Sequence, residues 1–330
     1  MEQAIRKTQP LVIMSVSVLI INWKSKDYLR GCLKTIENTA KGLVTQIVVV
    51  DGGSFDGCSE MIASEFPSVQ FVQSQENLGF GKSNNLGFEH VTEEYLFLLN
   101  PDTELKPNAL QQMLATISKS SNVGIVGARL LNTDRSLQTS CVQAFPTPQN
   151  QAFDSECLRR LFPKSNWWGT YNAFNSRGTV EVEAISGAAM LMQSETFRKI
   201  GGFDKQFFMY GEDMDLCAKT RKSGLKVIYN PSAEIIHHGG GSSSREFSKF
   251  STVFMRESIH YFIRKHQGPR TAILYRFLMG TSAVLRVSTL SIRQIFVSSR
   301  KKDESQPSVR KWIAILRWAL GFEKWVKSYA

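Results

Sequence analysis

The chain is short of cysteine, of long uncharged apolar runs and, in its last quarter, of acids. Its five cysteines, Cys32, Cys58, Cys141, Cys157 and Cys217, are odd in number, widely spaced and never paired as CxxC. That excludes a disulfide framework or zinc ribbon and fits a reducing compartment. No uncharged apolar stretch reaches the roughly 18 residues of a membrane span. The run from Leu11 to Ile21 is interrupted by Ser15 and Ser17, has no clear cleavage site after it, and reads as a buried strand. Neither GxGxxG nor GxxxxGK followed by Ser or Thr occurs, so the usual dinucleotide and P-loop readings have no support. Internal repeats and low-complexity tracts are missing as well.

What is present is an ordinary globular composition, 42% apolar and 21% charged over 330 residues, enough for one large or two small cores. The net charge of +11 is local. Residues 1–255 hold 25 basic and 25 acidic side chains, whereas 256–330 hold 15 and 4. A neutral body with a basic tail implies an anionic partner for the tail.

Apolar runs alternate with helical patterns. Met14–Ile21, Gln46–Val50, Val69–Val72, Tyr95–Leu99 and Val123–Val126 read as strands. Ser25 is placed to cap a helix bearing Leu29, Leu33 and Ile36, Gly79–His90 reads as helical, and Pro107 is placed to open a helix to about Ser118. This predicts an α/β fold with a doubly wound, mostly parallel sheet buried on both faces. Residues 132–180 are irregular. Val182–Met192 and Leu225–Tyr229 read as later strands, and Phe254–Lys265 as a helix closing the domain.

Several groups fall at expected strand ends. Asp51 precedes a glycine-rich turn and could meet a ligand or cap the next helix. Asp102, in LLNPDTEL, suits either a hard divalent cation or an Asx turn. His237 or His238, before a glycine run, could add a nitrogen ligand or be structural; the run itself could close as a loop on substrate. Glu212, Asp213 and Asp215 begin a helix, where carboxylates favour the macrodipole. Asp213 is the candidate general base, Glu212 its alternative, and Asp215 a capping or positioning group.

Seven segments together resemble the inverting glycosyltransferase family 2: VSVLIINWKSKDYLRGCLKTI, VVVDGGSFDGC, ENLGFGKSNNLGF, YLFLLNPDTEL, ISGAAMLM, IGGFDKQFFMYGEDMDLCAKTRKSGLKV and EIIHHGGGSSS. They follow the family's order, nearest to its rhamnosyltransferase-like branch of bacterial surface-polysaccharide synthesis. The resemblance implies a GT-A fold and donor contacts at Asn22, Asp51, Asn77, Gly79, Lys82 and Asn85. Asp51 would contact the nucleotide base, with Gly187 and Ala188 flooring the sugar pocket. Asp102 and His237 would hold Mg²⁺ or Mn²⁺, and Asp213 would be the catalytic base with Glu212 beside it. Two positions depart from the family: Gly52 replaces the usual Asn, and Asn100-Pro101-Asp102 replaces Asp-x-Asp.

The expected organisation is a mobile leader over 1–12, a GT-A domain over 13–268 with Trp167, Trp168 and Tyr171 toward the acceptor, and a basic amphipathic helical tail over 269–330. In the tail, Arg276, Arg286 and Arg293 share one side. Arg310, Arg317, Lys324 and Lys327 share a face opposed to Trp312, Ile315, Leu316, Ala319 and Phe322. Such helices pack on a domain or lie in an anionic membrane surface, and the charge imbalance favours the membrane. The expected function is transfer of a sugar, L-rhamnose from dTDP-L-rhamnose or a hexose from a UDP- or GDP-sugar, to a lipid-linked glycan at the inner face of the plasma membrane, the enzyme itself cytoplasmic. The competing class is a non-catalytic nucleotide-sugar or glycan-binding protein. Nucleic acid is not an expected partner, because the tail lacks a recognisable nucleic-acid motif.

Overall fold

The computed structural model describes residues 14–165, 167–168, 170–239, 248–295 and 299–329. The leader expected over 1–12 and the glycine run from 240 lie outside them, as do the side chains of Cys157 and Arg293.

The first half alternates as its apolar periodicity predicts. β1 (Val16–Asn22) and β2 (Val44–Asp51) flank α1 (Lys26–Thr39), whose Leu29, Leu33 and Ile36 are buried. α2 (Cys58–Glu65), β3 (Gln70–Gln73), α3 (Gly79–Phe88) and β4 (Tyr95–Leu99) follow. β4 is buried along its whole length and β1 nearly so, as strands covered on both faces must be. Two local expectations fail. Ser25 precedes α1, but its hydroxyl donates to Asn22 Oδ1 at 2.9 Å and caps no helical N–H. Beyond the short β5 (Thr103–Leu105), α4 (Ala109–Ile117) starts after Asn108 in a left-handed conformation at φ 65°, so Pro107 stays outside it.

Next comes β6 (Val123–Leu131), then the irregular stretch with β7 (Val142–Gln143), α5 (Pro148–Ala152), α6 (Glu156–Leu161), α7 (Tyr171–Asn175) and β8 (Val180–Glu181). Within this irregular stretch, Pro148 opens α5 behind a Thr147–Asn150 capping box. The strand expected over 182–192 is two pieces, β9 (Ala184–Ile185) and β10 (Ala189–Gln193), parted by Ser186-Gly187-Ala188. α8 (Ser194–Lys199), α9 (Glu212–Lys222) and β11 (Lys226–His237) complete the body. β11 runs eight residues past the expected Tyr229 by shifting register between Asn230 and Glu234, which makes His237 its last residue.

The main sheet has the order β3-β2-β1-β4-β10-β6-β11-β5, with β8 beside β11. β3, β2, β1 and β4 are parallel, as are β6 and β11, while β10 runs antiparallel between β4 and β6. Two reversals about β10 leave β11 pointing the same way as β4. The carboxyl ends of β1, β2, β4 and β11 therefore share one edge, where open α/β sheets bind ligands.

α10 (Lys249–Gln267), α11 (Pro269–Ile295) and α12 (Ser299–Ala319) pack on this body, α11 also meeting α5. The apolar face of α12 expected to enter a membrane instead turns inward. Ile315 and Trp318 are buried, Trp312, Leu316 and Ala319 half-buried, and Phe322 alone of that set is exposed. Trp318 donates to Glu257 at 2.6 Å, and Arg276 caps α12 by donating to the Trp318 and Ala319 carbonyls. A different apolar set, Ile273, Phe277, Leu285 and Leu320, faces outward, each at least 64% exposed. Among the described residues, no helix is long and apolar enough to cross a membrane.

Candidate active site

Asp51 lies at the end of β2 and is completely buried. Its Oδ1 accepts from Asn22 Nδ2 at 2.8 Å and from the Ser54 hydroxyl. Its Oδ2 accepts from Ser54 N at 2.9 Å and Gln73 Nε2 at 2.8 Å. Burial opposes ionisation, but the donors from Ser54, Gln73 and Asn22 outweigh it and hold the carboxyl below its usual range. A nucleotide base would reach Asp51 only if Ser54 or Gln73 turned away. Asp51, Asp56 and Cys58 bring ligand atoms within 4.8 Å of one another. Asp56 already accepts from the Lys26 and Cys58 amides, and burial first, then the Asp51 charge, pushes the Cys58 thiol far above its usual range. In this structure Asp51 and Asp56 serve as hydrogen-bond acceptors for Ser54, Lys26 and Cys58.

The segment around α3 divides into parts with different duties. Asn77 is exposed and accepts from Gly79 N at 2.9 Å. Gly79 has φ 77°, and a Cβ there would overlap the Phe208 carbonyl oxygen, so only glycine fits. Lys82 is half-buried and, among the described residues, makes no ion pair. Both ends of the Asn85 amide are bonded to the Phe203 backbone, at 2.8 and 2.9 Å, which joins α3 to the loop before α9.

Asp102 and His237 meet because β5 pairs with β11, placing His237 opposite Thr103. His237 Nε2 lies 3.2 Å from Asp102 Oδ1 and 3.3 Å from Asn100 Nδ2. His237 Nδ1 faces Gln138 Oε1 at 2.6 Å. The Gln138 amide nitrogen lies 3.1 Å from Asn132 Oδ1 and 3.3 Å from the His237 carbonyl, which fixes its oxygen as the acceptor for Nδ1–H. Nε2 then faces Asp102. One carboxylate and one imidazole oriented by an outer amide fit a divalent cation that keeps waters and substrate oxygens. His238 turns elsewhere, to Glu104 at 2.8 Å.

Asp213 lies in the first turn of α9, behind Tyr210 and Gly211, both at positive φ. Tyr210 at φ 68° is a strained conformation for a tyrosine, and it borders the cleft. Asp213 Oδ2 accepts from Gly187 N and Gln143 Nε2, each at 3.2 Å, and Oδ1 from Met214 N at 2.8 Å. Glu212 is buried beside it, and its Oε2 has no partner. Burial, and then the Asp213 charge, pushes Glu212 up to about 8. Burial raises Asp213 too, against its three donors. The donors favour the proton on Glu212 and the charge on Asp213, whose affinity for a proton burial raises. Asp215 is completely buried and accepts from His266 and Lys265, each at 2.7 Å, locking α9 to α10.

One turn links the two halves of the site. Gly187 N donates to Asp213, while the Ala188 carbonyl accepts from Asn100 N at 3.0 Å, next to Asp102. Asp213 and Glu212 open into a cleft of about 990 Å³ also lined by Gln143, Trp167, Tyr171 and Arg256. Trp167 is 48% exposed there, whereas Trp168 is buried and bonds to the Phe162 carbonyl. Gln138, Gln143 and Asn100 were not among the residues expected at the site. The two glutamines stand in the irregular stretch, where no period or motif marks them.

This architecture, with carboxylates and a histidine at the carboxyl edge of a mixed sheet, is that of the GT-A glycosyltransferases. Among solved structures, a mannosyltransferase from Pyrobaculum calidifontis in complex with GDP-Man and Mn²⁺ matches with a TM-score of 0.58 at 14% identity, covering 93% of this chain and 87% of that one. GalNAc-T7 with UDP, GalNAc and Mn²⁺ matches at 0.54 and 14% identity over 77% of this chain; the match spans only about half, 51%, of that structure. Residues 17–193 match the family description "Glycosyl transferase family 2", and 171–238 match "N-terminal domain of galactosyltransferase". The chain belongs to glycosyltransferase family 2. Curated relatives include an N-acetylglucosaminyl-diphospho-decaprenol L-rhamnosyltransferase of Mycobacterium tuberculosis, 26% identical over 78% of this chain and 86% of its own length. The rhamnosyltransferase WbbL of Escherichia coli is 24% identical over 76% and 93%.

Proposed function

We propose that the protein is an inverting, metal-assisted glycosyltransferase that moves a sugar from a nucleoside diphosphate to a hydroxyl of a lipid-linked glycan. The observation that carries this is the turn Ser186–Ala188, which holds the half-buried Asp213 and the Asp102 strand end in one hydrogen-bonded unit. Asp213 accepts the proton of the acceptor hydroxyl as that oxygen attacks the anomeric carbon from the face opposite the leaving diphosphate. Three hydrogen-bond donors on Asp213 and none on Glu212 Oε2 favour the charge of the pair on Asp213, the base. Asp102 and His237 would hold Mg²⁺ or Mn²⁺, which supplies charge neutralisation of the departing diphosphate. Lys82, half-buried and without an ion pair among the described residues, faces the same task. Asn22 and Gln73 keep Asp51 ionised and rigid under the nucleotide side, with Asn77 and Gly79 at its rim.

The named relatives support L-rhamnose as the transferred sugar; the donor we propose for it is dTDP-L-rhamnose, with UDP- or GDP-hexoses as the second reading. The outward apolar set on α11 and the basic charge of 256–330 support peripheral attachment to an anionic membrane, at its cytoplasmic face. Asp213→Asn keeps the side-chain shape but loses the base and one of the two accepting oxygens. With a panel of nucleotide sugars, this variant should bind donor as the wild type does and transfer about 10²–10⁴-fold more slowly. Wild-type turnover in Asp213→Asn would remove the assignment.

A further inference from the structure

The helix that carries Asp213 is gripped from behind. Asp213 and Asp215 share the first turn of α9 and lie about 200° apart around its axis at 3.6 residues per turn. With Asp213 on the cleft, Asp215 points the opposite way, to α10. There it is completely buried, with His266 Nε2 and Lys265 Nζ each 2.7 Å from Oδ1. Lys222 Nζ lies 2.9 Å from His266 Nδ1. An ammonium only donates, so Nδ1 accepts and the Nε2 hydrogen is directed at Asp215. His266 therefore bonds both the first and the last turn of α9.

The same helix holds the two segments that flank the base. Ser258 donates to the Met209 carbonyl at 2.9 Å, directly before Tyr210 and Gly211 at positive φ. Tyr261 and Lys265 donate to Asp204 at 2.9 and 2.6 Å. On the other side, Gln267 donates to the Pro146 carbonyl at 2.7 Å. The rings of His266, Phe262 and Phe145 follow one another at 4.5 and 5.5 Å. These contacts seat the segment after Gln143, whose amide donates to Asp213 at 3.2 Å. α10 thus fixes the helix of the base, the loop leading into it and the segment that supplies one of its donors.

A buried ion pair is often no more stabilising than the apolar contact that could replace it. What its directional bonds supply is register. A roll of α9 by about 10° would carry a carboxylate about 6 Å from the axis sideways by about 1 Å. A displacement of that size costs about 10²-fold in a reaction that depends on alignment.

Resting on the transferase reading, we infer that α10 is a splint for the general base and that His266 is a positioning residue for Asp213. His266 does not line the cleft, and it acts through the angle at which α9 presents the carboxylate.

Three variants of the full chain test this by deuterium exchange and by transfer kinetics. His266→Leu removes both hydrogen bonds, His266→Gln can replace both, and Gln267→Ala removes only the bond of an exposed side chain to Pro146. Exchange over 204–215 should quicken about tenfold in His266→Leu and return toward wild type in His266→Gln, with β1 and β4 unchanged in each. In transfer, kcat should fall about 10–10²-fold in His266→Leu and severalfold in Gln267→Ala, with donor KM unchanged, and recover in His266→Gln. Added to Asp213→Asn, His266→Leu should cost nothing further, because the base it positions is gone. A merely structural loosening would lower that residual rate by the same factor again, and such additivity would overturn the positioning role. Unchanged exchange over 204–215 in His266→Leu would overturn the splint. Should His266→Leu fail to fold, Gln267→Ala with wild-type kcat overturns the positioning role by itself. If exchange responds as stated but the wild type consumes no nucleotide sugar, the splint stands and the transferase reading falls. If the wild type transfers sugar and both His266→Leu and Gln267→Ala keep its kcat, the transferase stands and the positioning role falls.

Discussion

Replacing Glu212 with glutamine isolates the energetic cost of keeping two carboxyls in one helical turn. Glu212 is 7% exposed, its Oε2 has no donor, and burial and Asp213 raise it from 4.5 to about 8. A folded-state pKa above the unfolded value means the folded chain binds the proton more tightly. The resulting stability is complete below pH 4.5 and is lost as pH rises to about 8. At about 1.4 kcal/mol per pH unit the upper bound is ~5 kcal/mol. Glu212 borders an open cleft, where water relieves part of the charge, so a loss of about 2–3 kcal/mol is expected. Glutamine preserves the shape and removes the titration. Urea denaturation at pH 4.5, 6, 7.5 and 9 should therefore give a wild type that weakens across this range and a Glu212→Gln variant that weakens less. The gap should open with pH and be largest at pH 9. Parallel stability curves for the two proteins would refute the division of charge between Glu212 and Asp213, and with it the argument that Asp213 is the ionised base.

Four further outcomes follow from the same geometry. Chelation should abolish sugar transfer, and Mn²⁺ or Mg²⁺ should restore it; transfer that persists in chelator would remove the metal role of Asp102 and His237. Gly79→Ala should cost about 2–4 kcal/mol by denaturant titration, because the new methyl meets the Phe208 carbonyl and the backbone is left-handed. Asp215 has its folded pKa lowered, against burial, by His266 and Lys265, so its contribution is present above pH 3.8 and lost as pH falls. Asp215→Asn should thus be about 2–3 kcal/mol less stable at pH 7, with the deficit shrinking in acid. Phe277→Ser combined with Leu285→Ser should reduce flotation with phosphatidylglycerol vesicles while leaving the melting temperature near wild type, since both side chains are exposed.

The long strands, most of the early helices and the segments that carry chemistry were legible from residue pattern, whereas the short β5, β7 and β8 were not. Apolar period and glycine placement are local properties, and β1, β2, β4 and α1 follow from them directly. The motif residues Asp102 and His237 were legible for the same reason, as chemistry placed at strand ends. Their meeting was not: it depends on β11 shifting register after Asn230 and pairing with β5, a long-range choice that sequence spacing leaves open. Gln138 and Gln143 gave no signal, because an amide acquires its role only when packing aims it at a ring nitrogen or a carboxylate. Asn85 looked like a donor contact, yet packing gave both ends of its amide to the Phe203 backbone. The tail shows the division most plainly. Its basic, amphipathic character is fixed by composition, but which apolar face is buried was decided by Trp318, Tyr275 and Glu257 meeting across three helices. A helical projection ranks faces by polarity, and only tertiary contact chooses the one that loses water.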